Sequence, residues 1–203
     1  YNVCGDFMHV VFDNINNYDY KFYKNNLKKF KEYDKKRINK MINKNSKHLY
    51  ILSRVLLIDL LLKKHSIKYN EKQLKFNKNN KPYINNIYFN ISHSHDYAVV
   101  CTSYKKIGID IEKIRIVDIN IINYFCTSRE KKYILNSINK YKSLFEIYCL
   151  KEAYFKMKGT GISNFKNIEF TITNEKIKCN KPNLNISIDY SINNYIIAII
   201  ESL

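Results

Sequence analysis

The order of the predicted helices and strands constrains the fold of this chain more than any other feature. Apolar residues at helical spacing predict a helix over residues 46–64, and the basic stretch 21–45 is predicted to be partly helical. The second half predicts two helices followed by three strands, over residues 128–138, 142–157, 168–173, 185–190 and 195–200. Because these helices precede the strands instead of alternating with them, we expect an α+β fold and not a doubly wound sheet.

The chain can be divided into two halves of similar length, residues 1–104 and 105–203. Short strands are predicted near both ends of the first half and at the start of the second, over residues 6–12, 97–104 and 107–111. With 203 residues, 45% of them hydrophobic, the chain is long enough for one domain or two small ones. The longest apolar stretch is interrupted by Asp59, so no transmembrane helix is predicted.

The strong positive charge has two interpretations. Lys and Arg number 35 against 18 Asp and Glu, which gives a net charge of +17. One interpretation is a polyanionic partner such as nucleic acid, a phosphate-rich cofactor or an acidic protein. The other is compositional bias, because the chain is crowded with Lys, Asn, Ile and Tyr and has only 4 Gly and 2 Pro. Charge alone does not decide between them.

The cysteines and the first residues indicate the compartment. Five cysteines without CxxC spacing predict reduced thiols, which fits a cytoplasmic protein. The first twelve residues lack the basic start of a signal peptide and contain Asp6 and His9. Because the chain begins at Tyr1, an upstream organellar targeting segment stays open.

The segment GIDIE is the first candidate for chemistry. Residues two apart on a strand face the same side, so Asp110 and Glu112 share one face while Ile109 and Ile111 face a core. Two convergent carboxylates suit Mg²⁺ bound together with phosphate. The alternative is an ordinary half-exposed strand, which alternates in the same way.

The segment KEAYFK adds a third carboxylate and a cation. Glu152 and Lys156 are four residues apart on a predicted helix and share a face, on which Tyr148 lies one turn earlier. The pair could complete a metal and phosphate site. The alternative is a surface Glu–Lys pair of little consequence. Gly159 is expected to end the helix as a C-terminal cap, and Ser128 to begin the preceding one.

The segment FNISHS is the third candidate. The hydroxyl of Ser92 and the imidazole of His93 could hydrogen-bond phosphate oxygens at the edge of a strand. His93 and His95 would face one side of that strand, which also allows a zinc site, although no Cys or third His lies nearby to complete it. A Ser–His nucleophile is the remaining alternative, but no G-x-S-x-G elbow surrounds Ser92 or Ser94.

The three segments occur in an order and spacing that resembles the surfactin-type family of 4′-phosphopantetheinyl transferases. The matching segments are FNISHS, GIDIE and KEAYFKMKGTGI, and the match covers roughly residues 81–162. Tyr148 stands where the family has tryptophan. The segment from Phe125 to Glu130 also resembles a family motif, with Cys126 in the place of an aromatic residue.

The resemblance implies a reaction and a set of partners. It implies transfer of the phosphopantetheine arm of coenzyme A to a serine of an acidic acyl or peptidyl carrier protein, with release of 3′,5′-ADP and with Mg²⁺ as cofactor. It further implies two similar α+β halves, a pseudo-dimer whose first half binds coenzyme A and whose second holds the metal, with the active site in the cleft between them. A monomer that binds neither nucleic acid nor membranes is expected.

The resemblance also implies roles for single residues. Asp110, Glu112 and Glu152 would hold Mg²⁺, and Lys156 would stabilise the departing phosphate. Glu152 is the first choice for the base that takes the serine proton, and Glu130 is the second. The residues expected to bind coenzyme A are Lys81, Ser92, His93, Lys151, Lys47 or His48 at the 3′-phosphate, and more weakly Lys36 and Lys40.

Two other functions remain open at this stage. The charge and the 18 tyrosines would suit a nucleic-acid-binding protein, although the chain contains no recognised nucleic-acid-binding module. A relative that binds coenzyme A or a partner without catalysis is the second alternative. The full set of Asp110, Glu112, Glu152 and Lys156 argues against it.

Overall fold

Two compact units make up the chain, one ending at Tyr104 and the other beginning at Lys105. The structure is a computed structural model that describes residues 8–79, 81–161, 164–173 and 176–203. Cys4 and the first two residues of the predicted strand 6–12 lie outside the described residues. Each unit combines helices with antiparallel strands, which confirms the predicted α+β class.

The helices of the first unit precede its sheet, apart from one strand. They are α1 (Tyr20–Lys29), α2 (Glu32–Asn39) and α3 (Lys44–His65), with single 3₁₀ turns at Ile15–Asn17 and Glu71–Gln73. The helix predicted over residues 46–64 is confirmed as α3. It begins two residues earlier than predicted because the side chain of Asn43 accepts a hydrogen bond from the Ser46 N–H.

The sheet of the first unit has five antiparallel strands in the order β1-β5-β4-β3-β2. Their bounds are β1 (Met8–Asn14), β2 (Leu74–Phe76), β3 (Pro82–Ile84), β4 (Ile87–Ser94) and β5 (Tyr97–Ser103). Helix α3 packs on β5 and β1 and buries most of its leucines in the core of this unit. The hairpin between β4 and β5 turns at His95, whose φ is +51°, so the FNISHS segment ends where the strand ends.

The helices of the second unit are α4 (Ile122–Phe125), α5 (Ser128–Leu135) and α6 (Lys140–Lys158), with 3₁₀ turns at Ile119–Ile121 and Phe165–Asn167. Gly159 has a φ of +70° and ends α6, as predicted. The prediction that Ser128 caps α5 was wrong, because Thr127 is the N-cap residue. Thr127 and Glu130 form a reciprocal capping box, which places both at the start of the helix.

The strands of the second unit form a three-stranded antiparallel sheet and a separate hairpin. The strands are β6 (Ile107–Lys113), β7 (Phe170–Thr173), β8 (Lys176–Cys179), β9 (Leu184–Asp189) and β10 (Tyr195–Ser202). The sheet has the order β6-β10-β9, and β7 and β8 form the hairpin. Helix α6 lies on β6 and β10. No described helix is both long and apolar enough to cross a membrane.

Candidate active site

Strand β6 and helix α6 bring two of the predicted site residues into direct contact. The Lys156 Nζ donates a hydrogen bond to the Asp110 Oδ1 at 2.7 Å. The contact is possible because Gly108, two residues before Asp110, has no side chain where the α6 backbone passes at Ala153 and Met157. Any Cβ at this position would overlap the helix, so the glycine sets how closely α6 approaches the strand.

Glu152 lies beside the same pair. Burial raises the pKa of its carboxyl, and the negative charge of Asp110 raises it further, with a smaller contribution from Glu112. Lys156 and a hydrogen bond from the Tyr148 hydroxyl act in the opposite direction. A raised pKa brings a carboxylate closer to the neutral range in which it can accept and release a proton.

Tyr148 occupies the position at which the family motif has tryptophan. Its ring lies edge-on to Phe125, with ring centroids 5.4 Å apart, and is tilted against Phe165 at 6.1 Å. Burial and the neighbouring carboxylate of Glu152 raise the pKa of the tyrosine hydroxyl. The hydroxyl therefore stays protonated and acts as a donor to Glu152 one turn further along α6.

The predicted metal ligands Asp110, Glu112 and Glu152 are not arranged as a ready metal-binding site. No three His, Cys, Asp or Glu side chains in the described ranges are grouped so that they could hold a metal ion. Asp110 is paired with Lys156, and Glu112 is paired with Arg115 at 3.0 Å. From the sequence, no function was assigned to Arg115, which lies two residues beyond the end of β6.

The donor chemistry at this position nevertheless fits Mg²⁺. Three carboxylates supply the hard oxygen atoms that this ion prefers. Asp110 and Glu112 both raise the pKa of Glu152, which means that the negative charges repel one another. A divalent cation is the group that would offset this repulsion.

One of the thiols that the sequence predicts to be reduced is close enough to the carboxylates to be affected by their charge. Cys149 is fully buried on α6, and its Sγ is 3.7 Å from the carbonyl oxygen of Ile196 on β10. Burial raises the pKa of this thiol well above its ordinary value, and Asp110 and Glu112 raise it further. A buried thiol with a raised pKa is a poor nucleophile, so Cys149 is part of the packing of α6 against β10.

Glu130 and Lys151 have surroundings that differ from the expected ones. Both side chains are fully buried, and the Lys151 Nζ lies 2.7 Å from the Glu130 Oε2. A base must reach a serine of another protein, and a ligand-binding lysine must reach a phosphate. A fully enclosed and paired group can do neither, so this geometry argues against Glu130 as the base and against Lys151 as a coenzyme A ligand.

Strand β4 carries the candidates of the FNISHS segment. Ser92 is buried and His93 is exposed, and they lie opposite Val99 and Ala98 of β5. His95 is in the turn that follows the strand, so the predicted shared face of His93 and His95 was wrong. The zinc alternative has no support among the described residues.

The lysines proposed for coenzyme A lie on separate elements of the first unit. Lys36 and Lys40 are exposed at the end of α2, and Lys47 is half-buried in the first turn of α3. Lys81 closes a turn in which its N–H donates to the Asn77 Oδ1 at 3.0 Å. These positions leave the four roles as predictions.

His48 is less suited than Lys47 to bind a phosphate. Its ring stacks on Tyr23, with centroids 3.7 Å apart. Burial lowers the pKa of His48, and the charge of Lys44 lowers it further. Both effects disfavour the charged imidazolium, and a neutral imidazole attracts a phosphate less than an ammonium group does.

Carboxylates beside a lysine, held by a helix packed on a strand, have the chemistry of a site that handles phosphate groups. A sequence model of the 4′-phosphopantetheinyl transferase superfamily matches residues 106–200. A second model, of the 4′-phosphopantetheinyl transferase N-terminal region, matches residues 19–105. The two matches adjoin and together extend over nearly the whole chain, so the chain belongs to the 4′-phosphopantetheinyl transferase superfamily.

Curated relatives carry the same family name. The chain is 37% identical to 4′-phosphopantetheinyl transferase gsp of Aneurinibacillus migulanus, over 54% of this chain and 49% of the relative. It is 25% identical to 4′-phosphopantetheinyl transferase Sfp of Bacillus subtilis strain 168, over 60% of this chain and 56% of the relative. The chain thus spans about half the length of the curated relatives it matches.

One solved structure is also similar in part. The crystal structure of Thermotoga maritima holo-[acyl-carrier-protein] synthase (AcpS) is 24% identical, with a TM-score of 0.41. The similarity covers 47% of this chain and 61% of that chain.

Proposed function

We propose that this protein transfers the 4′-phosphopantetheine arm of coenzyme A to a serine of a carrier protein. The observation that carries the proposal is the contact of Lys156 with Asp110 beside Glu152, in a chain of this superfamily. These three residues lie in the matching motifs, and the resemblance implies that they take part in the reaction. An ordinary surface Glu–Lys pair would not bury Glu152 next to a strand carboxylate.

In the proposed reaction, the serine oxygen forms a bond to the β-phosphorus of the coenzyme A pyrophosphate. The bond between that phosphorus and the bridging oxygen breaks, and 3′,5′-ADP leaves with the electron pair. Glu152 takes the serine proton, directly or through a water. Lys156 offsets the negative charge that develops on the leaving phosphate.

A metal ion belongs to the proposal. Asp110, Glu112 and Glu152 would hold Mg²⁺, which would offset the charge of the pyrophosphate. The Tyr148 hydroxyl keeps the Glu152 carboxylate oriented by its hydrogen bond.

Residues of the first unit are proposed to bind coenzyme A. Ser92 and His93 would bind a phosphate through the hydroxyl and the imidazole, and Lys81 would reach the pyrophosphate. Lys47 would bind the 3′-phosphate, with Lys36 and Lys40 as weaker alternatives. Each would contribute affinity and not chemistry, so its loss should raise KM for coenzyme A more than it lowers kcat.

The carrier protein is proposed to be acidic. A net charge of +17 would attract such a partner over a distance, and the association rate would fall as salt rises. None of the four described cysteines forms a disulfide, which suits a reducing compartment such as the cytoplasm. The protein is further proposed to work as a monomer that binds neither nucleic acid nor membranes. The pathway that the carrier serves is left open.

The decisive experiment is mass spectrometry of candidate apo-carrier proteins after incubation with this protein, coenzyme A and Mg²⁺. A mass increase of one phosphopantetheine on a serine is expected. No increase on fatty-acid, polyketide or peptide-synthetase carriers would overturn the proposal.

Thermal unfolding with coenzyme A gives an independent test. Stabilisation by coenzyme A that grows when Mg²⁺ is added favours the enzyme, because the ligand and the ion would bind the folded state together. Salt-sensitive binding of RNA without any effect of coenzyme A would favour the nucleic-acid alternative.

A further inference from the structure

The pair of Glu130 and Lys151 is saturated with hydrogen bonds. Besides its contact with Glu130, the Lys151 Nζ donates to the carbonyl oxygens of Phe165 at 2.8 Å and Ile168 at 2.7 Å. These three partners use all three donors of the ammonium group. The lysine therefore attaches helix α6 to the segment that follows the helix, residues 165–170.

Glu130 is equally engaged. Its Oε1 accepts a hydrogen bond from the Phe170 N–H at 2.9 Å, and its Oε2 accepts one from the Thr127 N–H at 2.8 Å. The carboxylate thus connects the first turn of α5 to the start of β7. One buried ion pair joins α5, α6 and the segment 165–170 through groups of the main chain.

The same pair adjoins the proposed catalytic turn. Lys151 directly precedes Glu152, and successive residues of a helix are separated by about 100° of rotation. Fixing the side chain of Lys151 therefore fixes the direction in which Glu152 leaves α6. Phe165, whose carbonyl Lys151 binds, also places its ring against Tyr148, the donor to Glu152.

A buried ion pair is poor evidence for stability alone. Removing two charges from water is unfavourable, and apolar residues of similar size often stabilise a fold as well or better. Main-chain carbonyls and N–H groups, in contrast, have fixed positions and impose a defined geometry on the groups that bind them. Apart from the ion pair itself, Glu130 and Lys151 form their hydrogen bonds with such main-chain groups.

We propose that Glu130 and Lys151 are positioning residues that hold the Tyr148–Glu152–Lys156 face of α6 in its reactive orientation. The inference rests on the proposed function for its catalytic consequence. Its structural part, that the pair fixes α6 against residues 165–170, stands independently of the reaction.

Three variants test the proposal. Lys151→Met leaves the Glu130 carboxylate buried without its partner and should unfold readily. The double variant Glu130→Gln/Lys151→Met removes both charges and should recover part of the lost thermal stability, since the carbonyl oxygens of Phe165 and Ile168 still lose their donor. The matched control is Arg129→Ala. It removes a 3.2 Å contact with Glu169, which also joins α5 to residues 165–170, but the Arg129 side chain is 80% exposed.

Amide hydrogen exchange and transfer kinetics are measured on the full chain. In the double variant, exchange over residues 148–156 and 165–170 should be faster than in the unaltered protein. The kcat for carrier modification should fall by about 10- to 100-fold, the usual effect of losing a supporting partner. KM for coenzyme A should change by less than about twofold, because no substrate contact is removed. Arg129→Ala should change none of these.

Each outcome decides one of the two claims. Unchanged exchange and kcat in a folded double variant would overturn the positioning role and leave only a structural one. If the unaltered protein modifies no carrier, the proposed function fails. The exchange measurement then still decides whether the pair fixes α6.

Discussion

In the described part of the chain, each unit encloses one buried ion pair between its longest helix and the helix before it. In the first unit, the Arg54 Nε of α3 lies 2.8 Å from the Asp34 Oδ1 of α2. In the second, the Lys151 Nζ of α6 lies 2.7 Å from the Glu130 Oε2 of α5. The two pairs have the same kind of location but different partners.

The partners explain the difference in consequence. Asp34 and Arg54 are surrounded by side chains, since the Tyr50 hydroxyl donates to Asp34 at 2.7 Å and Arg54 faces the rings of Tyr33 and Tyr50. Side-chain partners can move together with the helices that carry them. The pair of the second unit binds main-chain groups of residues 165–170, which lie outside both helices. It therefore fixes α6 relative to that segment. The first pair therefore serves the packing of two helices, and the second is the one we propose to hold the geometry of the site.

Glu152→Gln should have the largest effect, because it tests whether α6, the long helix of the second unit, contributes a catalytic residue. Loss of the base should lower carrier modification by about 100- to 10,000-fold. Thermal stability should be unchanged or higher, because the repulsion between Glu152 and Asp110 is removed. Mass spectrometry of the carrier and thermal unfolding measure the two effects.

Asp59→Asn on α3 is the matched control for that variant. Asp59 is an exposed carboxylate in an ion pair with Lys63 on the long helix of the first unit. It should retain nearly full activity. Retention of full activity by Glu152→Gln would remove the distinction between the two helices.

Arg54→Met tests the pair of the first unit. It leaves the Asp34 carboxylate buried without its partner, so the free energy of unfolding should fall by about 3–5 kcal/mol. Scanning calorimetry should show the loss in the transition of the first unit. Lys63→Met, which removes an exposed pair on the same helix, should cost no more than about 1 kcal/mol. Equal costs for the two variants would contradict a special role for burial.

The elements that the sequence predicted well are those with a local period. Leucines three and four residues apart defined α3, and alternation over GIDIE defined β6 and the shared face of its carboxylates. The hairpin strand β8 was missed because its four residues, KIKC, are too short and too basic to stand out. For α5, Thr127 and Glu130 have the spacing of a capping box, but the neighbouring Ser128 is also a favourable N-cap residue and gave the wrong prediction.

The candidate site was predictable only where spacing along the chain decides geometry. Glu152 and Lys156 share a helix face by their four-residue spacing alone. Burial, in contrast, depends on the whole fold. Glu130 and Lys151 are polar residues within motifs and were therefore read as functional. Only the fold shows that they are enclosed and attached to a segment that begins fourteen residues after Lys151.

Gly108→Ala tests the approach of α6 to β6, on which the site geometry of the second unit depends. The added Cβ would overlap the main chain at Ala153 and Met157, so the helix must shift. We expect a loss of about 1–3 kcal/mol in denaturant unfolding, together with reduced transfer. Gly161→Ala is the control, because its surroundings are open and the cost of its φ of +69° is about 1–2 kcal/mol. Transfer by Gly108→Ala at the level of Gly161→Ala would show that the helix tolerates the shift.

The pH dependence of stability should have opposite signs in the two units. All five histidines belong to the first unit, and burial lowers the pKa values of His9, His48 and His65. As the pH falls through the ordinary value of 6.5, the unfolded state binds protons that the folded state does not, so the first unit loses stability. Glu152 has a raised pKa, so its folded form binds the proton more readily than the unfolded form does. The second unit therefore gains stability as the pH falls through the folded pKa of Glu152, which lies above the ordinary carboxyl value.

Amide exchange at pH 7.5 and 5.5, resolved by unit, measures this smallest of the expected effects. Single variants separate its sources. His65→Gln should reduce the acid sensitivity of the first unit, because His65 is in a half-buried position against His9, and no described residue gives its buried Nδ1 a hydrogen bond. Glu152→Gln should abolish the gain of the second unit and leave the first unchanged. Parallel responses of both units in all three proteins would mean that these groups do not control the pH dependence, and that the chain unfolds as one cooperative body.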